Sequence, residues 1–332
     1  MNAARIERIW YGGEAAPWWL RALVPVYRLL RLFARAPWQL GLRRAARLPV
    51  PVIVVGNLTV GGTGKTPLVI ALVEALRARG FHPGVVSRGY GGRARAAVLL
   101  DDHPDPVEVG DEPSLVRRRT RVPVAVGRDR GKVARLLLAQ GVDVIISDDG
   151  LQNLSLARDV GICVIDGERR FGNGRLLPAG PLREPSAALG DTDFVVCNGG
   201  APRAGEVPMR LVGDVAVALA GAEPSRALDA FATRRVHALA GIGHPARFFA
   251  HLRAHGIDVI EHALPDHHAI SAADLAFAEN LPVLMTEKDA VKCAHWARAD
   301  WWCVPVRAEL PEAFLEGVAG RLRTTRTTES GR

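Results

Sequence analysis

A mainly parallel α/β sheet with helices on both faces is the fold class the sequence predicts, with a smaller C-terminal α/β domain after it and an amphipathic helix before it. Three observations predict it. Short apolar runs (Val52–Val55, Gly84–Ser87, Val122–Val126, Val142–Ile146, Gly161–Asp166, Phe194–Cys197) alternate with stretches of helical spacing such as Lys132–Ala139. Such alternation is the pattern of a sheet covered on both sides. One run leads through a glycine-rich turn directly into a helix, and the first 50 residues are basic and aromatic in a way the rest of the chain is not.

The first strand, Val52–Val55, follows Pro49-Val50-Pro51 and is apolar throughout, as a buried parallel strand is. After it come Gly56-Asn57-Leu58 and then Thr59-Val60-Gly61-Gly62-Thr63-Gly64-Lys65-Thr66-Pro67, before the helical LVIALVEALRARG. Strand, glycine turn and helix form the setting of a phosphate-binding loop. Glycines let backbone N–H groups close on phosphate oxygens, and the helix N-terminus adds positive potential. Lys65 would reach the β- and γ-phosphates of a nucleotide, and the Thr66 hydroxyl would ligate Mg²⁺. The first glycine of the strict motif is replaced by Thr59, with Gly61 and Gly62 supplying the flexibility.

The run Val142–Ile146 ends in Ser147-Asp148-Asp149-Gly150. A carboxylate at a strand end downstream of such a loop suits Mg²⁺, so Asp148 and Asp149 are the metal candidates. Asp-Asp-Gly is also ordinary turn chemistry, which is the competing reading. The loops Ser87–Gly92 and Asp166–Arg169 also follow strands and should converge on the phosphate loop, with Arg88 and Arg130 as candidate phosphate contacts or plain surface arginines.

The chain has 332 residues, enough for two domains, and carries a net charge of +8. Residues 1–50 hold nine arginines against two glutamates, a net +7, so the body is close to neutral and no nucleic-acid groove is expected. From Trp18 to Arg35, Arg21, Arg28, Arg31 and Arg35 share one arc of a helix, while Leu20, Leu23, Tyr27, Leu30 and Phe33 lie away from it. Pro25 and the internal arginines argue against a membrane span. The segment reads as an interfacial helix, divided or kinked at Pro25, with its arginines on anionic lipid phosphates; a docking helix with solvated arginines is the alternative. Cys163, Cys197, Cys293 and Cys303 are scattered and read as reduced thiols of a cytosolic protein, and nothing at the start resembles a secretory signal.

The resulting division is 1–48 as membrane-associating segment, 49–208 as nucleotide-binding domain, 209–320 as smaller α/β domain closing a cleft, and 321–332 as a disordered tail. In the second half, Val236–Gly243 reads as strand and glycine turn, Pro245–His255 as helix, Ile257–Ile260 as strand and Ala272–Glu279 as helix. Strands are expected again near Pro282–Met285 and Trp302–Val306.

An ordered series of motifs resembles one family, the tetraacyldisaccharide 4′-kinases of lipid A synthesis in Gram-negative bacteria. The series comprises Gly56–Pro67, Ser87–Gly91, Gly110-Asp111-Glu112-Pro113, Ser147–Gln152, Leu176–Pro185, Gly241-Ile242-Gly243, Pro265-Asp266-His267-His268 and Met285–Lys292. The resemblance implies transfer of the ATP γ-phosphate to the 4′-hydroxyl of a tetraacyl glucosamine disaccharide 1-phosphate. It also implies Mg²⁺ and a peripheral place on the cytoplasmic face of the inner membrane, with no obligate protein partner. Asp111 resembles the family's catalytic carboxylate and His267 its partner, with His268 able to take that place. Asn153 stands where the family often has histidine, and His244 where it often has asparagine. Thr286–Asp289 reads either as a nucleotide contact or as a helix N-cap. A non-catalytic nucleotide switch and a soluble small-molecule kinase are the rival functions.

Overall fold

A computed structural model describes residues 1, 3–220, 224–277 and 281–330. Two helices open the chain, α1 (Ala3–Tyr11) and α2 (Trp18–Gln39). Strands β1 (Val52–Gly56), β2 (Pro83–Ser87), β3 (Val98–Leu99), β4 (Val124–Val126), β5 (Val144–Ser147), β6 (Val160–Asp166), β7 (Phe194–Asn198) and β8 (Glu206–Val212) follow. Between them lie α3 (Lys65–Ala78), α4 (Pro106–Val109), α5 (Asp111–Thr120) and α6 (Arg130–Leu138).

A second group comprises β9 (Val215–Ala218), β10 (Ser225–Ala227), β11 (Arg235–Ala240), α7 (Pro245–Ala254), β12 (Asp258–Ala263), β13 (Val283–Thr286), α8 (Glu287–Cys293) and β14 (Trp301–Val304). The chain ends with β15 (Arg307–Glu309) and α9 (Glu312–Ser330).

Among the described residues the first sheet runs β15-β8-β7-β6-β1-β5-β2-β4-β3 and the second β10-β9-β14-β13-β11-β12. The first is parallel except at its edges, where β3 and β15 run antiparallel. The mainly parallel sheet predicted from the apolar runs is therefore present, and β1, β2, β5 and β6 are buried at every position. Their connections diverge around β1: β1 leads to β2 on one side, while β5 crosses over to β6 on the other. Ligands of such sheets bind at the carboxyl ends of the strands beside that divergence.

Helix α3 covers one face with Leu68, Val69, Leu72, Val73 and Leu76, and α6 covers the other with Val133, Ala134 and Leu137. The second sheet has its own core, built from Phe231, Phe248, Phe249, Leu252 and Trp302.

Several placements differ from the sequence expectation. Strand β8 spans the 208/209 division, and β15 pairs back onto it. The expected disordered tail is helical through Ser330, and Leu322 is buried with Phe314 and Val318 against the first sheet. Over 272–279 only the 3₁₀ turn Ala272–Leu275 forms, and residues 278–279 lie outside the described residues. Helix α2 runs unbroken past Pro25.

Phe249 is fully buried at the centre of the second core. Phe249→Ala is expected to cost about 3–5 kcal/mol, read from the urea midpoint of unfolding.

Candidate active site

The phosphate loop is held from several sides. Gly64 is the N-cap of helix α3, and its φ of 92° is left-handed. A Cβ there would collide with the Asn198 side chain, so this position needs glycine. Asn198, at the end of β7, donates to the Thr63 carbonyl at 3.0 Å. Lys65 Nζ lies 3.3 Å from Asn57 Oδ1 and 3.5 Å from Asp149 Oδ1. Arg169 donates to the Gly62 carbonyl at 3.3 Å and to the Gly243 carbonyl at 3.4 Å, so the loop after β6 reaches the phosphate loop as its strand position predicts. Beside it, a cleft of about 460 Å³ is lined by Trp10, Tyr11, Glu168, Arg169, Asn173 and His244.

Strand β5 pairs with β1 through Val54 and Ser147, which delivers Asp148 and Asp149 to the loop. Asp148 is 1% exposed, and neither of its carboxylate oxygens has a hydrogen-bond partner among the described residues. Burial, with the nearby charge of Glu112, pushes its carboxyl up to about 7, against the opposing charges of Lys65 and Arg130. Asp149 behaves oppositely. Burial would raise it, but Lys65 and Arg183 outweigh that and hold it low; Arg183 Nη1 lies 3.4 Å from Asp149 Oδ2. The Asp149 backbone is left-handed at φ 50°, a strain of about 1–3 kcal/mol that sites tolerate when the surroundings fix it.

Arg130 is buried under this turn and donates to the Asp148 carbonyl at 2.8 Å. It braces the turn from below, whereas Arg88 is exposed. Thr66 is half-buried in the first turn of α3. No cluster of three or more metal-ligating side chains occurs among the described residues. The unpartnered carboxylate of Asp148, with Asp149 next to it paired to Lys65 and Arg183, suits an ion that takes most of its ligands from phosphate and water, as Mg²⁺ does.

A second constellation forms where the sheets meet. Asp111 opens α5 from the first sheet, and His267 comes from the loop after β12. His267 Nδ1 is 3.3 Å from Asp111 Oδ2, an ion-pair contact in which neither atom makes a hydrogen bond. Catalytic contacts are often loose before substrate binds. Tyr90 meets the His267 ring edge-on at 4.8 Å, and His267 is left-handed at φ 61°. His268 turns away and bonds Asp274 at 3.0 Å. Burial would raise the Asp111 carboxyl, yet contact with His267 and the charges of Lys292 and Lys288 hold it below its ordinary value.

Thr286 accepts from the Asp289 N–H as the N-cap of α8, the second of its two sequence readings. The sequence reading passed over Asn57, Asn198, Arg169, Arg183, Lys288 and Lys292 as individual site residues. All but Asn198 lie inside stretches that the sequence analysis singles out.

At the N-terminus, Trp10 Nε1 donates to the Pro178 carbonyl at 3.1 Å and the Tyr27 hydroxyl to the Arg183 carbonyl at 3.0 Å. Arg31 and Arg35 lie 3.5 and 3.0 Å from the buried carboxylate of Glu184. Those two arginines and Tyr27 therefore face the protein, which corrects their placement toward lipid and solvent. Outward from α2 project Trp18, Val26, Leu29, Leu30, Leu32 and Phe33, the last 66% exposed. No described helix is long and apolar enough to cross a membrane.

A family model described as LpxK, tetraacyldisaccharide-1-P 4′-kinase, matches residues 16–323. A tetraacyldisaccharide 4′-kinase of Stenotrophomonas maltophilia is 50% identical, over 94% of this chain and 95% of that protein. One from Methylobacillus flagellatus is 48% identical, over 96% and 95%. Among solved structures, LpxK from Aquifex aeolicus in complex with ATP superposes with a TM-score of 0.74 at 28% identity, covering 91% of this chain and 98% of that one.

The buried charge of Asp148 makes a signed prediction for the ligand-free protein. Its folded pKa of about 7 lies above the unfolded value, so its ionisation destabilises the fold as pH rises from about 4 through 7. Asp148→Asn is expected to raise the melting temperature relative to wild type at pH 8 but not at pH 4, in parallel thermal scans.

Proposed function

The chain belongs to the tetraacyldisaccharide-1-phosphate 4′-kinase family, and from that premise we propose that it transfers the γ-phosphate of ATP to the 4′-hydroxyl of a tetraacyl glucosamine disaccharide 1-phosphate. It is an ATP-dependent phosphotransferase of lipid A biosynthesis. One observation carries the reading of the site: besides a glycine-rich loop with two acidic residues at its edge, the protein holds a separate Asp–His pair contributed from both sheets. A nucleotide switch needs the first and has no use for the second.

In this reading Thr59, Val60, Gly61, Gly62, Thr63 and Gly64 wrap the phosphates with backbone N–H groups, and Lys65 bridges toward the γ-phosphate. Thr66, Asp148 and Asp149 would hold Mg²⁺, which when bound neutralises charge on the phosphate oxygens. Lys65 and Arg183, which lean on Asp149 in the ligand-free site, are free to turn to the nucleotide once that carboxylate has a cation. Asp111 accepts the proton of the sugar hydroxyl as oxygen attacks phosphorus in line with the departing ADP. His267 orients Asp111. The two come from different sheets, so the pair forms only when the sheets are closed on each other, and closure also excludes water from the transfer.

The acceptor is a lipid, and the apolar outer surface of α2 fits that task. Side chains such as Trp18, Leu29 and Phe33 entering the headgroup boundary would hold the enzyme on the cytoplasmic face of the inner membrane, where the acyl chains remain in lipid.

Labelled γ-phosphate should appear on the glycolipid in mixed micelles with Mg²⁺, and Asp111→Ala should lower the rate by about 10²–10⁴-fold with little change in ATP binding. Lys65→Ala should lose both transfer and ATP affinity. Binding of ATP by wild type with no label on the lipid sinks this assignment. For the membrane contact, L29E combined with F33E should abolish co-sedimentation with anionic vesicles while far-UV circular dichroism stays unchanged; retained sedimentation would remove α2 from that role.

A further inference from the structure

Four successive carbonyls of the phosphate loop each have a side-chain donor, and each donor comes from a different part of the chain. The Tyr11 hydroxyl, at the end of α1, lies 3.5 Å from the Val60 carbonyl oxygen. Asn57, just after β1, donates to the Gly61 carbonyl at 3.4 Å. Arg169, from the loop after β6, donates to Gly62 at 3.3 Å, and Asn198, at the end of β7, to Thr63 at 3.0 Å. The hold is closest where the loop enters α3. Among the described residues, the N–H groups of Gly61, Gly62, Thr63 and Gly64 have no hydrogen-bond partner.

A trans peptide sets the carbonyl of one residue and the N–H of the next on opposite edges of one plane. Donors that hold the carbonyls of residues 60 to 63 from outside therefore turn the N–H groups of residues 61 to 64 the other way. We propose that Tyr11, Asn57, Arg169 and Asn198 are positioning residues that preset the phosphate loop, fixing four consecutive peptides with their N–H groups toward the phosphates before the nucleotide arrives. The inference rests on the reading of this loop as a phosphate cradle, and not on how the sugar hydroxyl loses its proton.

A loop this rich in glycine can turn its peptides either way at little steric cost. A peptide turned over would aim a carbonyl oxygen at the phosphate instead of an N–H. A donor on each carbonyl removes that alternative in the empty site, so less order remains to be imposed when the anion binds. Asn57 and Asn198 are 0% and 2% exposed, where an apolar side chain would leave the loop carbonyl without its donor. Asn57 has a second use, since its Oδ1 accepts from Lys65 Nζ at 3.3 Å. The two remaining donors brace each other: the Arg169 guanidinium lies 4.9 Å from the centre of the Tyr11 ring. Arg169 also donates to the Gly243 carbonyl at 3.4 Å, which ties the same hold to the second sheet.

The test is equilibrium binding of ATP and of inorganic triphosphate, each with Mg²⁺, by isothermal titration calorimetry of the full chain. Asn198→Ala should weaken both ligands by about tenfold, and Tyr11→Phe, which loses only the hydroxyl, by about two- to threefold. KM for the glycolipid should stay at the wild-type value in both. Neither side chain carries a charge, so such a loss is not that of a cation on the phosphates. Tyr11→Phe decides the question if Asn198→Ala does not fold. Weaker ATP binding with unchanged triphosphate binding would show that these side chains meet the nucleoside, and the proposal would be overturned. Variants that keep wild-type affinity for both ligands and lose only thermal stability would overturn it as well. A wild-type protein that binds neither ligand would instead remove the reading of the loop as a phosphate cradle, and the inference would fall with it.

Discussion

The site depends first on one strand pairing, β1 against β5. The register that sets Val54 opposite Ser147 places the residues following both strands side by side. One continuation is the phosphate loop, and the other is the Asp148–Asp149 turn. A parallel pair cannot slip by one residue without turning buried side chains to the opposite face, and both strands are buried at every position. The distance from Lys65 to Asp149 is therefore set by the sheet and not by either loop. The central position of β1, with β5 and β6 on its two sides, adds the Asp166 loop to the same edge, which is how Arg169 reaches the Gly62 carbonyl.

The second sheet closes on this edge at close range. A Cβ on Gly243 would come 2.5 Å from Gly62 N, so glycine at 243 permits the backbones of the two sheets to touch at the phosphate loop. From there the contact runs to the α5–α8 seam, where Lys288 and Lys292 meet Glu112 and Asp111. The seam is charged on both sides and largely removed from water, so an unpaired member would be costly. Both carboxylates of α5 and both lysines of α8 are matched. The same contacts that join the sheets thereby bring Asp111 and His267 together.

Locally encoded features were legible in the sequence. Strand, glycine turn, Lys65 and Thr66 are contiguous, and the buried strand before Asp148 announces itself by four apolar residues. The alternation of such runs gave the sheet its parallel character. Features set by distant partners were less so. Asn198 looks like any strand-end residue until β7 is placed beside the loop it holds, and Lys292 reads as a surface lysine because its partner Asp111 is 181 residues away in sequence. Arg130 has the composition of a phosphate contact, but its charge is used against backbone carbonyls beneath the aspartates. The return of β15 and α9 to the first sheet follows from strand β8 offering an open edge, which no local pattern records.

The N-terminal helix shows what a periodicity leaves out. Arginines on one arc and leucines on another read as a charged side for lipid phosphates and an apolar side for the bilayer, yet Arg31 and Arg35 turn to the protein. The protein has its own claim on the charged side. Glu184 is buried, and a buried carboxylate needs cations near it; Arg31 and Arg35 supply them. Tyr27, counted among the apolar residues, adds a hydrogen bond to the Arg183 carbonyl next door. These three contacts fix the rotation of α2 about its axis, and that rotation leaves Val26, Leu29, Leu30 and Phe33 pointing outward. The residue following Tyr27's acceptor is Glu184, while the acceptor itself, Arg183, reaches Asp149 in the site. Two adjacent residues thus tie the orientation of the apolar helix to the edge of the phosphate loop, so the surface that would meet lipid and the groups that would meet phosphate are set by the same short stretch of chain.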